Sequence, residues 1–503
     1  MIAQTIPTNW HEREKLRNKG QFWTPVWLAE AMIEYVAKES DLIFDPATGK
    51  GAFFDALLQL KKENVSFYGI DVDEEILKTP TYSDKSCLVE KRDFLKNPPP
   101  RKFKAIVSNP PYIRHHRIDE ATKIWLKQLT RKITGFTIDG RAGYHIYFLL
   151  QALNALEDGG RLAMILPADS CEGIFAEKLW RWIGEKFCVE CVLSFDEKAA
   201  PFPKLDTNAI VFFIRKIQPT QKLIWAKLDE INAEELSDFV VSNFALTDNF
   251  QSLQATERNL DEALKTGLSR PKIETPASKY KLSDFATVMR GVATGANEFF
   301  FLTRRQAKDL QIPEEFLKLT VGRTRDVTSG SLTQADMRKL DESSRPTLLL
   351  SIDKPFAELP QQVVAYLEKG IESGVSERVL VGLRNPWYKA EKRKIPEMLF
   401  AYLGRRNLRF IKNDAGAIPL HCLHCVYTRS KDKIHIESLW TVLNHPDTLA
   451  NLQFVSKSYG SGALKAEPQK LKNLAIPDYL VEEYKLEIKR VDVQLNFFEI
   501  QNA

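Results

Sequence analysis

Asp45-Pro46-Ala47-Thr48-Gly49-Lys50-Gly51-Ala52-Phe53 decides how this chain is read. The stretch stands between a short apolar run ending in Asp45 (Asp41–Asp45), of strand length, and Ala52–Lys62, whose apolar spacing is helical. A glycine-rich turn from strand to helix lets backbone approach a ligand closely and aims free N–H groups at it. Gly-x-Gly alone is weak evidence, since an ordinary strand-to-helix turn uses the same residues. The spacing to a second carboxylate strengthens it. Asp71 closes the next strand-like run, Ser66–Asp71, 20 residues after Gly51, where doubly wound nucleotide-binding folds keep a carboxylate for ribose hydroxyls. Asp93, followed by Phe94, ends a third run, Cys87–Asp93, and offers an acceptor for an adenine amino group. No Gly-Lys-Ser/Thr follows the glycines, so the expected ligand is a nucleoside without a polyphosphate.

Further along, Ser108-Asn109-Pro110-Pro111-Tyr112 ends a fourth strand-like run, Phe103–Ser108. Two prolines there stop the sheet and hold a rigid turn outside the strand ends, where open α/β sheets bind ligands. Such a turn exposes two neighbouring acceptors, the Asn109 side-chain oxygen and the Pro110 carbonyl, with an aromatic ring beside them. Around these motifs helical and strand patterns alternate over the first 215 residues, as a parallel sheet covered by helices requires. Helices are expected at Trp27–Lys38 and Tyr144–Leu156, a turn at Gly159-Gly160, and strands at Arg161–Pro167, Val192–Phe195 and Ala209–Arg215. Residues 216–275 read as a mixed stretch, and the remainder as mixed α and β.

The set resembles the amino-group DNA methyltransferases that use S-adenosylmethionine, specifically the TaqI-like adenine-N6 class. That class has an extra cofactor element, Gly-x-Phe/Tyr-x-Thr-Pro, ahead of the glycine turn, and this chain has Gly20-Gln21-Phe22-Trp23-Thr24-Pro25. The resemblance covers about residues 15–215 and implies a Rossmann-like methyltransferase domain over 1–250, followed by a mixed α/β target-recognition domain over 275–503. It implies that Thr24 lies at the methionine end of the cofactor and Asp45 near its amino group, with Pro46, Ala47, Gly49 and Gly51 forming the loop beneath. Asp71 and Val72 would hold the ribose end, Asp93 and Phe94 the adenine. Phe202, in Phe202-Pro203-Lys204, matches a motif whose ring packs against the extruded target base. Arg290–Asn297 and Ser458–Lys465 resemble the entry and a late segment of such recognition domains.

The implied chemistry is methylation of an adenine amine in double-stranded DNA. That nitrogen is a poor nucleophile, because its lone pair is delocalised into the ring. Hydrogen bonds to Asn109 and the Pro110 carbonyl would shift it towards a tetrahedral nitrogen, and positioning would supply most of the acceleration. The base must leave the stack to be reached, and Tyr112 would stack on it. No Pro-Cys dipeptide exists in the chain, so a cysteine-based cytosine-C5 mechanism lacks its nucleophile. Cytosine-N4 enzymes more often carry Ser in place of Asn109, which favours adenine. Competing readings are an RNA or protein-glutamine methyltransferase, which usually lacks a basic C-terminal half, and an inactive DNA-binding protein on the same fold, against which the intact motifs argue. The matching stretch begins at Lys19, so a nuclease fused ahead of it is not expected. A stand-alone modification enzyme, with a separately encoded cognate restriction endonuclease, is therefore expected.

Charge supports this division of labour. The net charge is only +5, but residues 271–503 hold 35 basic and 28 acidic side chains, a net of +7, while residues 1–270 carry a net of −2. Within 381–430 ten basic residues face three acidic ones, so an anionic ligand is expected mainly on the back half. Candidate phosphate contacts are Arg114 and Arg117 beside the catalytic turn, and Arg290, Lys392, Arg393, Arg405, Arg406, Tyr459 and Lys465 in the second half. His115-His116 and the pairs Cys188/Cys191 and Cys422/Cys425 invite a metal. Neighbouring histidines rarely serve one ion, and the cysteine pairs lie about 230 residues apart, so no metal is expected. No apolar run approaches the roughly 18 residues of a membrane span, no secretory segment is visible, and six cysteines are too sparse for a disulfide scaffold. The expectation is a cytoplasmic protein.

Overall fold

The computed structural model describes residues 22–488 apart from 63, 79, 172–174, 203–207, 248, 273–276, 402, 405–407 and 460–462. The chain divides near residue 274 into two compact units. The N-terminal unit is built on nine strands: β1 (Leu42–Asp45), β2 (Ser66–Asp71), β3 (Cys87–Lys91), β4 (Phe103–Ser108), β5 (Leu156–Pro167), β6 (Cys188–Phe195), β7 (Ala209–Arg215), β8 (Lys222–Leu228) and β9 (Leu253–Asn259). They form one sheet in the order β3-β2-β1-β4-β5-β7-β6-β8-β9. The strands from β3 to β5 run parallel, and β7 is antiparallel to both its neighbours.

Helices cover both faces because both faces of the strands are apolar. On β7, Ile210, Phe212 and Ile214 join one core with Leu126 of α3 (Glu120–Thr134), the buried face of α4 (Tyr144–Ala155), and Leu179, Trp180 and Ile183 of α5 (Ala176–Lys186). The alternate residues Val211 and Phe213 join the opposite core, with α1 (Val26–Val36), α2 (Ala52–Gln59) and α6 (Ala233–Val241). Strands buried on both sides read as continuous apolar runs, and this is why Ala209–Arg215 is evident from sequence. The helix after β1 and the helices after β4 thus lie on opposite faces of neighbouring strands. Such a switch point opens a crevice at the strands' C-terminal ends.

Two expectations need correction. Gly159-Gly160 does not turn the chain into a strand at Arg161, since β5 starts at Leu156 and the glycines lie within it. Between Phe103 and Ala105 the register against β4 shifts by three residues, and Gly159 has φ +80, so the pair serves an irregularity within the strand. The stretch after 215, read as mixed and left without elements, contributes β8, α6 and β9 to the sheet and its covering layer.

The C-terminal unit is mixed α and β. One four-stranded antiparallel sheet orders Ala286–Arg290, His424–Thr428, Met398–Phe400 and Phe410–Lys412. A second four-stranded sheet includes Leu317–Val321 and Leu348–Leu350, and helices such as Gln361–Glu372 and Lys433–Leu443 pack beside the sheets. Among the described residues no helix is long and apolar enough to cross a membrane.

One glycine in the N-terminal sheet is fixed by packing. Gly69 of β2 pairs in register with Asp45, and a Cβ there would lie 2.8 Å from Thr48 Oγ1 and 3.0 Å from its Cβ. Gly69→Ala is therefore expected to lower the unfolding free energy by about 1–3 kcal/mol, as overpacking does. Urea denaturation should show part of the loss recovered in Gly69→Ala/Thr48→Ala, and equal stability of Gly69→Ala and the parent would contradict the packing.

Candidate active site

The loop after β1 is held from three directions. Thr48 N–H donates to the Ile70 carbonyl at 3.0 Å, tying the loop to β2. Gly49 and Gly51 have φ +50 and +87, the left-handed region that favours glycine. Tyr82 closes the third side, its hydroxyl donating to the Gly49 carbonyl at 2.6 Å and lying 3.1 Å from Thr48 Oγ1. A Cβ on Gly51 would sit 3.1 Å from the Tyr82 ring, so this glycine is required for space as well. Sequence reasoning missed Tyr82, since nothing in its own neighbourhood marks a contact made across more than thirty residues.

Asp71 ends β2 and has a duty that the sequence did not announce. Its Oδ2 accepts from Gly49 N–H at 3.0 Å and its Oδ1 from Asp73 N–H at 2.9 Å, so it braces the glycine loop. Val72 beside it is 62% exposed, an apolar side chain free to cover a ring. Asp45 is fully buried, and its Oδ1 accepts from Ala47 N–H at 3.0 Å across the Pro46 turn. Its Oδ2 closes no hydrogen bond, although the Ser108 hydroxyl near the carboxyl favours its charged form. Burial, with the Asp71 charge nearby, pushes the Asp45 carboxyl up to about 8. Asp93 closes a turn by accepting from Leu95 and Lys96 N–H groups. Phe94 is buried against Phe44 and Phe148, so its ring is committed to the core.

At the end of β4, the Asn109 amide is clamped at one end only. Nδ2 donates to the Phe22 carbonyl at 2.7 Å and lies 3.3 Å from Thr24 Oγ1, while Oδ1 is buried with no partner. The segment that carries Thr24 therefore orients the amide of Asn109, with the acceptor left over. Pro110 is buried and Pro111 half-buried in the turn that follows. Tyr112 and Phe202 both lean on Phe22, with ring centroids 5.4 and 5.8 Å away. Phe22 is thus an aromatic member of the site that the sequence treated only as part of a motif. Lys50 Nζ stands 3.9 Å over the Trp23 ring at the same end of the sheet. Arg114 and Arg117 flank a short exposed turn just beyond Tyr112.

The proposed phosphate contacts of the C-terminal unit are largely paired within it. Arg290 and Arg393 both pair with Glu391, and Lys392 pairs with Asp353, which Lys389 also holds at 3.0 Å. Lys465 lies 3.8 Å from Glu467. Arg405 and Arg406 lie outside the described residues, as does the side chain of Tyr459. Cys422 donates to the Gly322 carbonyl at 2.8 Å, while Cys188 and Cys191 are buried in β6.

A doubly wound sheet with an antiparallel seventh strand, a glycine turn after β1, an acid after β2 and Asn-Pro-Pro-Tyr after β4 define a methyltransferase of the α/β class. Residues 9–243 match the family described as N-6 DNA Methylase, and residues 269–503 match the Type II methyltransferase M.Eco57I, C-terminal domain. The two matches, one in each unit, together with the Type II relatives, show an adenine-N6 DNA methyltransferase of the restriction-modification type. The Type II methyltransferase M.AccI of Acinetobacter calcoaceticus is 25% identical over 472 residues, spanning 91% of this chain and 85% of its own length. M.XamI of Xanthomonas campestris pv. amaranthicola is 23% identical over 476 residues with the same coverage. Among solved structures, the Type IIL restriction-modification enzyme MmeI in complex with DNA shares the fold at a TM-score of 0.56 and 12% identity, over 92% of this chain and 64% of that one.

The buried carboxyl of Asp45 has a measurable consequence. An unfolded aspartate ionises near 4, whereas this one stays protonated to about 8 in the folded protein. The folded state therefore holds an extra proton through that window, and the stability of the ligand-free protein falls as pH rises through it, then levels off. Asp45→Asn removes the titration. Its melting temperature is expected to rise relative to the parent between pH 5 and pH 8.5, and a constant difference across that range would contradict the assignment.

Proposed function

We propose that the crevice between β1 and β4 binds S-adenosylmethionine and presents Asn109 to an adenine amine extruded from double-stranded DNA. The observation that carries this reading is the half-satisfied Asn109 amide, an oriented acceptor left empty in a buried site. A buried acceptor without a partner is costly, so it is kept where a ligand supplies the donor. Asp45 Oδ2 is a second such acceptor and suits the amino group of the cofactor. Asp71 fits the ribose hydroxyls and Val72 one face of the adenine, while Pro46, Ala47, Gly49 and Gly51 form the floor and Asp93 stands at the adenine edge. When bound, the cofactor supplies a methyl group on a cationic sulfur, open to displacement by the amine. Asn109 Oδ1 and the Pro110 carbonyl accept the two amine hydrogens, which draws the nitrogen lone pair out of the ring. Pro111 stiffens the turn so that little reorganisation is left to the reaction. Tyr112 stacks on the base and Phe202 closes its edge.

Arg114 and Arg117 would hold the backbone beside the extruded base, and the C-terminal unit would read the site, with Arg290, Lys392, Arg393, Arg405, Arg406, Tyr459 and Lys465 towards phosphates. The motif order supports the TaqI-like class. The biological role would be protection of cytoplasmic DNA from a cognate restriction endonuclease encoded separately.

Sequencing DNA from cells that express the protein should reveal N6-methyladenine at one recurring sequence, and methylation of cytosine instead would overturn the adenine assignment. Asn109→Ala is expected to abolish turnover nearly completely while DNA and cofactor binding persist. Tyr112→Ala should lose a stacking contribution of about 1–3 kcal/mol, whereas Tyr112→Phe keeps appreciable activity. Because Asp71 also braces the loop, Asp71→Asn is the cleaner probe of ribose binding. Calorimetry should show cofactor affinity lower by roughly tenfold or more, the scale of one charged hydrogen bond.

A further inference from the structure

One buried polar side chain in the crevice has no work in the scheme above. His145 is the second residue of α4, and its ring is 5% exposed with neither nitrogen hydrogen-bonded. Its helix is otherwise apolar here, with Ile146 to Leu150 all buried. An aromatic hydrocarbon would fill the space without leaving polar atoms bare. The fold nevertheless makes room for this ring in particular. A Cβ on Gly143 would lie 2.4 Å from His145 Cε1 and 2.8 Å from Nδ1. Gly143 has φ −74, an ordinary value, so glycine is there to seat the imidazole and not to turn the chain.

The neighbours of the ring are as specific as its seat. Tyr112 meets it nearly perpendicular, with centroids 5.8 Å apart and planes at 76°. The Tyr112 hydroxyl is itself buried without a partner. On the other side Asp169, in the short turn Ala168–Cys171 after β5, brings its Oδ1 to 3.8 Å from Nε2. Burial, and after it the Asp169 charge, pushes the Tyr112 phenol well up, so the phenol stays a donor. Burial pushes the imidazole down to about 4, leaving it neutral, with one nitrogen to donate and one to accept. Phenol, imidazole and carboxylate thus come together from a loop, the first turn of a helix and a short turn, with no hydrogen bond closed among them. Tyr144 N–H donates to the Ile113 carbonyl at 2.9 Å, so the start of α4 is tied to the segment that carries Tyr112.

We propose that His145 is a positioning residue for the target base, forming with Asp169 a latch that takes up the Tyr112 hydroxyl when that ring stacks on the extruded adenine. The inference rests on Tyr112 being the stacking surface. Asp169 accepts from one imidazole nitrogen and so fixes which nitrogen is free to accept from the phenol. The latch acts on the base through Tyr112 and leaves the reacting amine to Asn109.

The test uses the full chain and a duplex carrying the methylation site found in expressing cells, with 2-aminopurine at the target position for the fluorescence measurement. Methylation by the parent protein checks the reading of the site, and comparison among variants checks the latch. His145→Phe keeps the ring and removes both nitrogens. It should melt and bind cofactor like the parent, yet raise KM for DNA by about three- to tenfold and blunt the 2-aminopurine emission, with kcat changed less, the scale of one neutral hydrogen bond. Tyr112→Phe should do the same, and the double variant should be no worse than either single one, because both remove one bond. Multiplying effects in the double variant would overturn the proposal, as would a parental KM in His145→Phe. A lowered melting temperature with KM unchanged would make the imidazole a packing ring and also overturn it. Should His145→Phe fail to fold, Asp169→Asn, at an exposed side chain, should raise KM for DNA at least about twofold, and an unchanged KM there would equally overturn it.

Discussion

The constraint on which the N-terminal unit depends is the need of buried polar groups for partners at a place where the fold cannot supply them. β1 and β4 are neighbours, but the helices that follow them depart to opposite faces. The ends of these two strands are therefore covered by neither layer, and loops alone must satisfy what is buried there. The loops do so selectively. Gly49, Asp71, Thr48 and Tyr82 satisfy one another, whereas Asp45 Oδ2, Asn109 Oδ1, the Tyr112 hydroxyl and both nitrogens of His145 are left bare. A scaffold that closes its own hydrogen bonds beneath a set of open ones is what a preorganised site requires.

The clamp on Asn109 joins the two proposed ligand sites through one short segment. Thr24 and the Phe22 carbonyl fix the amide, and the Phe22 ring touches Tyr112 and Phe202. A segment assigned from sequence to the cofactor thus also places the two rings proposed to meet the base. Burial of Asp45 acts in the same sense, since a carboxyl held protonated is primed to exchange its proton for a cationic partner.

Much of this architecture was legible because its signals are local. Ser66–Asp71, Phe103–Ser108 and Ala209–Arg215 are buried or half-buried runs with abrupt polar ends, and the observed strands have those bounds. The loop residues Asp45, Gly49, Asp71 and Asn109 were recognisable because strand ends are where such chemistry is placed, and the sheet brings them to one edge. What escaped was either ambiguous or distant. A glycine pair serves an irregularity within a strand as well as a turn, which hid the first residues of β5. α3 carries Asp119 at its N-cap and Gly135 at its end, but stands in a strongly charged stretch where no apolar run draws attention. Tyr82 and His145 act through contacts whose partners lie far along the chain, and no pattern within one segment encodes them.

The ion pairs of the C-terminal unit bear on how its charge is counted. Arg290 and Arg393 share Glu391, and Lys389 and Lys392 share Asp353. A phosphate arriving at any of these cations would replace a carboxylate already present, and the displaced acid would stay nearby instead of diffusing away as a released counterion does. The thermodynamic currency of such an exchange is partner substitution, not ion release. Its dependence on salt is accordingly shallower than a count of lysines and arginines implies, and the local surplus of positive charge describes the composition of that surface better than its strength of attraction.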